Sequence, residues 1–234
     1  MSGSQTTSER PVCNICGSTD FQDYRKRPAE QCVDCGAKAR HRVGWEVYQH
    51  HLLPLAEARS APRVLHLAPE KSLFELLASR LGGGYIPADA APERYPQAAC
   101  LKLYFPDGFE IFPDGYFDGI LHNHVLEHIP GHYGDHLRAF TRLLAPGGKM
   151  IFSIPGPYLD RPTREGGEHL ASDGERLEQF LQEDHYKMIG DDFFDVLDAL
   201  PGGKRLEEGV SEERRSALSV RPGKAPFFIW QRDS

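Results

Sequence analysis

The stretch VLHLAPEKSLFELLASRLGGGYIPADA, residues 64–90, decides the fold. Val64–Leu67 follows a linker marked by Pro62 and reads as a short buried strand. Leu73, Leu76, Leu77 and Leu81 recur at helical spacing. Ser72 and Glu75 form an S-x-x-E capping box, which predicts a helix starting near Leu73. Gly82–Gly84 stops that helix, and Tyr85–Ala88 reads as a second strand ending at Asp89. The result is a strand–helix–strand unit with an acid 25 residues after Val64. In dinucleotide folds an acid at this place binds the ribose hydroxyls; the plainer reading is an exposed loop acid.

The loop after the first strand normally carries glycines, which let the backbone present N–H groups to a pyrophosphate. Here it carries Ala68, Pro69 and Glu70. Pro69 lacks an N–H and Ala68 adds a side chain, so a dinucleotide does not suit the loop. S-adenosylmethionine suits it better, because that cofactor has a ribose and an amine but no phosphate. Glu70 is the candidate partner for the amine, since a cation in a partly desolvated cleft needs an opposite charge; the plainer reading is an exposed loop acid near a helix N-terminus.

Downstream, DGYFDGILHNHVLEHI (114–129) reads as a turn and a strand from Phe117 to about Leu121, then a polar switch. HLRAFTRLLAPGGKMIFSIP (136–155) reads as an amphipathic helix, a Pro-Gly-Gly turn and another strand. PFFIWQR (226–232) closes the chain as a strand. Strands alternating with helices predict an α/β fold: a Rossmann-like, mostly parallel sheet with helices on both faces. Ligands on such sheets bind at the carboxyl ends of the strands, which gathers His66, Glu70, Asp89 and His122–His124 at one edge.

Ahead of this domain, Cys13-x-x-Cys16 and Cys32-x-x-Cys35 stand with fifteen residues between them. Two such knuckles match a closed four-thiolate zinc site; a pair of redox dithiols is the rival reading. Gly17 and Gly36 follow the second cysteine of each knuckle, where positive φ is needed. A module this small buries too little core to fold alone, so the metal would supply folding energy. Cys100, left over in an apolar run, reads as a buried strand residue. Trp45, Tyr48, Leu52 and Leu55 share one face of a linking helix that ends or kinks near Leu53, because Pro54 interrupts it. Within ARHR (39–42), Arg40, His41 and Arg42 read either as a solvated helix start or as groups reaching the substrate pocket. The expected organisation is a disordered polar tail (1–10), a zinc-ribbon-like module (11–42), a linking helix and linker (43–62), and one large domain (63–234).

The net charge of −7 opposes a protein that coats nucleic acid by charge. No stretch has the length and apolarity of a membrane span, and no leader is evident. The reading is a cytoplasmic protein with no membrane partner. The oligomeric state stays open.

VLHLAPE, YIPADA, FPDGYFDGILHNHVLEHIP and LLAPGGKMIFSIP, in this order, resemble the class I S-adenosylmethionine-dependent methyltransferases of the type 11 kind. The four-cysteine start, ARHR and EDHYKMIGDDF (183–193) resemble a subgroup that has LHLAPE in place of the glycine loop. The resemblance implies that His66, Ala68, Pro69 and Glu70 lie against the methionine half of the cofactor. It implies that Asp89 binds the ribose and Asp107 faces the adenine, while His122 and Asn123 flank the methyl group. It also implies that the closing strand is antiparallel.

A general base is needed only if the acceptor arrives protonated. His124, His128 and His185 are the candidates, with Asp184 as orienter. His124 and His128 also read as packing or capping residues. His122, His124, His128, His132 and His136 form a run that a second metal would use, yet no known carboxylate–histidine metal helix accompanies it. The polar, turn-rich segment after Pro155 reads as a lid or as a plain surface loop, turning helical from about Glu175. Three functions fit: methyl transfer to a small-molecule or peptide acceptor, methyl transfer to RNA or protein docked through the zinc module, or a non-enzymatic binding module on a methyltransferase fold.

Overall fold

The computed structural model describes residues 10–96, 98–105 and 107–234. Apart from Arg10, the tail expected over 1–10 lies outside them. The first elements are an antiparallel hairpin of β1 (Phe21–Tyr24) and β2 (Arg27–Cys32), then α1 (Ala39–His51) and α2 (Leu53–Glu57). Pro54 sits in the first turn of α2, where its missing N–H costs no helical bond.

There follow β3 (Val64–Leu67), α3 (Lys71–Leu81), β4 (Tyr85–Asp89), β5 (Leu101–Lys102), β6 (Phe117–Asn123) and α4 (Tyr133–Leu143). The chain continues through β7 (Leu144–Ser153), α5 (Asp173–Phe180), α6 (Phe193–Asp198), β8 (Gly203–Leu206), α7 (Glu212–Ala217) and β9 (Phe228–Arg232). Seven strands form one sheet in the order β5–β4–β3–β6–β7–β9–β8. All pairs from β5 to β7 are parallel, and β9 alone is reversed against β7 and β8. The strand order turns at β3 and β6, and such a switch point opens a crevice at the strand ends.

Strand side chains alternate between two cores. Leu65 and Leu67, Ile120, Met150 and Phe152, and Phe228 and Trp230 pack with α4 and α6 on one face. Val64, Leu121, Ile151 and Ile229 pack with α1, α2 and α3 on the other. Both faces are covered, so the central strands are apolar at nearly every position rather than at every second one.

Four local readings are corrected. Glu70 is the last extended residue before α3, so the helix begins at Lys71 and Ser72 lies within its first turn. The Ser72 hydroxyl, too late in the chain to cap, instead meets His41 Nδ1 at 2.7 Å. Cys100 is half-buried and lies just outside the short β5. The basic ARHR cluster is not solvated. Arg42 is fully buried, and its guanidinium donates to the carbonyls of Glu30, Ala37, Leu218 and Ser219 at 2.6–3.1 Å. A buried guanidinium has five donors to place, and four carbonyls from β2, the second knuckle and the segment after residue 217 take four of them.

Candidate active site

A cleft of about 540 Å³ opens at the carboxyl ends of β3, β4 and β6. Leu67 and Ala68 form one wall, and Ala88, Asp89 and Ala90 the next. Arg94, Tyr95 and the run Leu103–Phe105 line a third side. His124, Val125, His128, Ile129 and Pro130 complete it, with Asp184 and Tyr186 at the far end. That volume is in the ordinary range for a cofactor site.

Asp89 ends β4 inside this wall. One carboxylate oxygen accepts from Ala91 N–H at 2.8 Å and the other from Tyr95 O–H at 3.2 Å. The two contacts fix the carboxylate and leave each oxygen a free lone pair. Burial and the Asp89 carboxylate both raise the Tyr95 pKa, so the phenol stays protonated as a donor. Ala68 and His124 have positive φ, 48° and 55°, and each sits just past a strand end in the cleft wall. Neither is glycine, so the backbone there is strained. Ala68 thereby takes the left-handed turn that glycine usually makes in such loops, without the phosphate-binding character of a glycine nest.

Several expected cofactor contacts point elsewhere, and the reason is strand alternation. His66 lies one residue from Leu65 and Leu67 and so faces the opposite side of the sheet. It is fully buried there, bonded to Tyr85 O–H at 2.7 Å and to the Glu70 carboxylate at 2.9 Å. Glu70 is thus committed to His66 rather than offered to the cleft. Burial pushes the Glu70 pKa up, but the His66 hydrogen bond and the charges of His66, His41 and Arg40 prevail and hold it at about 2. Pro69 is buried and, like His66 and Glu70, is not in the wall. His122 stacks between Phe140 and Phe152, with centroids 4.6 Å away on each side, and burial pushes its pKa down to about 3. Asn123 turns to the other face, donating to Tyr48 O–H at 2.7 Å and accepting from Ser153 O–H at 3.2 Å. Asp107 is exposed and outside the wall. Of the residues expected at the cofactor, Ala68 and Asp89 face the cleft.

The structure does gather the candidate catalytic histidines. His124 and His128 line the cleft, and His185 is buried just behind it. Between them sits Glu127, 2% exposed, a residue the sequence reading passed over. Its Oε1 lies 3.4 Å from His124 Nδ1 and 3.9 Å from His128 Nε2. Burial lowers the His185 pKa, so its imidazole is neutral at pH 7. Arg94, Tyr95, Tyr104, Phe105 and Tyr186 were also missed, because they lie on turns and irregular segments with no periodic signal.

Outside the cleft, Cys13, Cys16, Cys32 and Cys35 bring their sulfurs within 4.8 Å of one another. Cys13 and Cys35 are 3.7 Å apart, and Cys16 and Cys32 are 3.6 Å apart. A tetrahedron with Zn–S bonds of ~2.3 Å has edges of ~3.8 Å, so the donor set fits zinc. Gly17 and Gly36 take the positive φ values, 81° and 70°, that the knuckle turns need. The four thiolates would close the ion's shell and leave it a structural role.

Residues 40–196 match the family described as a methyltransferase domain. No curated protein matches the chain. Among solved structures, an S-adenosylmethionine-dependent methyltransferase from Archaeoglobus fulgidus is similar at 17% identity and TM-score 0.52, over 82% of this chain and 94% of that one. A methyltransferase from Mesorhizobium loti is similar at 14% identity and TM-score 0.48, over 81% and 98%. A third, the 1,6-didemethyltoxoflavin-N1-methyltransferase of Burkholderia thailandensis with bound S-adenosylhomocysteine, shares 16% identity at TM-score 0.42, over 82% and 83%. With two-thirds of its length matching one family and its cleft at the switch point of a parallel sheet, this chain belongs to the class I S-adenosylmethionine-dependent methyltransferases.

Proposed function

We propose that the protein methylates a small-molecule or peptide-like acceptor, with the cofactor in the cleft at the ends of β3, β4 and β6. The observation that carries this reading is the Asp89 carboxylate, pinned by Ala91 and Tyr95 at the end of β4 and turned into the wall. In this place it would accept from the ribose hydroxyls, while the left-handed Ala68 gives the methionine half its turn. Bound S-adenosylmethionine supplies an electrophilic methyl group. The protein's own part is to position the acceptor and, where the acceptor arrives protonated, to take its proton. His124 and His128 are the wall residues able to do so, and Glu127 beside them would orient the rings. Leu103, Tyr104 and Phe105 offer an apolar and aromatic surface for a planar group. A bounded cleft in a protein of net charge −7 favours a compact acceptor over nucleic acid.

Two measurements test this. Calorimetry should show S-adenosylmethionine binding that weakens by about 1.5–3 kcal/mol in Asp89→Ala, the range for hydrogen bonds to a charged group. Equal affinity in the folded variant would refute the ribose assignment. Labelled cofactor supplied with cell extract should mark an acceptor of low mass that survives nuclease and protease, or a protease-sensitive peptide. Nuclease-sensitive label would instead favour RNA docked through the four-cysteine module.

A further inference from the structure

Among the described residues a second set of ligand-type side chains converges, separate from the cysteines. Glu127, His128 and His185 bring one donor atom each within 4.8 Å of the others. They come from two segments, Glu127–His128 and His185, joined where Tyr186 N–H donates to the Glu127 carbonyl at 2.8 Å.

Three features set this cluster apart from a chance meeting. The first is Glu127 itself, which is almost fully buried and whose Oε2 has no hydrogen-bond partner. An unpartnered buried carboxylate oxygen is costly, and a cation held by the other oxygen, Oε1, which faces the histidines, would offset the buried charge. The second is the orientation of the rings. His128 Nδ1 is 2.9 Å from the Asp184 carbonyl, and His185 Nδ1 is 3.2 Å from the Phe180 carbonyl. A carbonyl only accepts, so each ring donates from Nδ1 and keeps its lone pair on Nε2, the tautomer seen in metal-ligating histidines. The third is access. His128 lines the cleft and its side chain is 36% exposed, so the cluster borders the space left for an acceptor.

We propose that Glu127, His128 and His185 form a divalent transition-metal site at the acceptor side of the cleft. Two imidazoles and one carboxylate make up the donor set of open, three-ligand sites for zinc, manganese or iron(II), which leave further positions for an incoming ligand. Around one such ion neighbouring donors stand roughly 3–3.5 Å apart, so the cluster tightens on binding. Glu127 and His128 already have Oε1 and Nε2 at 3.9 Å, and half-exposed His128 is free to adjust. Gln182 Nε2 lies 2.7 Å from His185 Nε2 and turns aside when the ion takes that lone pair. Lys187 is the nearby cation; its ammonium is bonded to the Gly131 carbonyl and interacts first with Glu165 and Glu168 and then with Glu127. His124 Nδ1, at 3.4 Å from Glu127, stands beside the site as a further donor. The ion's open positions would hold an oxygen or nitrogen atom of the acceptor. That role rests on the methyl-transfer reading above, with His124 rather than metal-bound His128 left to take the proton, whereas occupancy of the site does not.

Manganese(II) is the probe, since it binds thiolates poorly and so spares the four-cysteine module, and it has an electron paramagnetic resonance signal that fades on binding. The zinc-loaded full chain should take up one manganese(II) per molecule. His128→Ala, at a half-exposed position that spares the fold, should weaken uptake at least ~10-fold. Glu127→Gln should abolish it in protein whose melting and zinc content are retained. No uptake up to ~1 mM, the weak end of biological cation sites, would overturn the inference, as would uptake unchanged in His128→Ala. S-adenosylmethionine calorimetry without manganese separates the two readings. Cofactor binding without manganese uptake removes the metal and leaves the methyltransferase site, whereas the reverse outcome removes the cofactor site and leaves the metal.

Discussion

Arg42 and Glu70 show how a buried charge acts in this fold. Arg42 is surrounded by carbonyls from β2, the second knuckle and the segment after α7. Arg42→Lys cannot reproduce the planar fork, and it would leave some of those carbonyls unpaired. Urea unfolding of Arg42→Lys should show a loss of about 3 kcal/mol or more, the scale for breaking a buried charged network. A loss under ~0.5 kcal/mol, typical of surface positions, would contradict this role. Glu70 adds a pH dependence. Its folded pKa of about 2 lies below the ordinary 4.5, so its contribution to stability is complete above 4.5 and vanishes as pH falls through about 2. Glu70→Gln should therefore be less stable than the parent at pH 7, with the gap closing under acid. Thermal melts across that range would show it, and a gap independent of pH would rule out a stabilising role for the Glu70 charge. Residue identity alone announced neither role. Arg42 read as a solvated or pocket-reaching group because arginine is usually exposed, and Glu70 read as a cofactor partner because the cofactor's amine needs an opposite charge. What settled both was the direction of each side chain, which depends on packing partners far away in the chain.

Elements were more legible than contacts. Hydrophobic period gave β3, α3, β4, β6, α4 and β9 within a few residues, whereas β7 starts at Leu144 and runs through the Pro-Gly-Gly read as a turn, which forms an irregularity in its pairing with β6. β8 escaped because Gly203–Leu206 is only partly buried and carries Lys204 and Arg205, so no apolar run marks it. α6 and α7 span six residues each, too short for a period. The cleft itself was readable in part: Asp89 follows from the strand–helix–strand spacing, whereas Tyr95, Tyr104 and Tyr186 sit on irregular segments that only tertiary structure brings together. The knuckles were the clearest signal of all, because four like ligands at matched spacing have few other uses. Removing one thiolate opens the shell, so Cys32→Ser should lose the zinc and loosen the β1–β2 hairpin. Elemental analysis should fall from one zinc per chain to none. Full retention would mean that the ion, if present, has other ligands.

At the scale of the whole molecule the two ends of the chain are locked together. Val12 N–H donates to the Ala217 carbonyl, Ser219 O–H donates to the Ala29 carbonyl, and Arg214 pairs with Glu46. The cysteine module is therefore fastened to the same face of the sheet as α1 and α7, and Arg25 in its β1–β2 turn reaches Asp184 and Tyr186 at the far end of the cleft. Arg42 joins this contact, and its Leu218 partner lies 176 positions further along. Proteins are made from the N-terminus, residue by residue. The knuckles leave the ribosome early, yet the carbonyls that complete the Arg42 cage emerge only after almost all of the sheet. During synthesis the metal-bound start of the chain must wait, its guanidinium still in water, until the last strands arrive. A ribosome stalled before Leu218 would hold a nascent chain with its zinc bound and its two halves still apart.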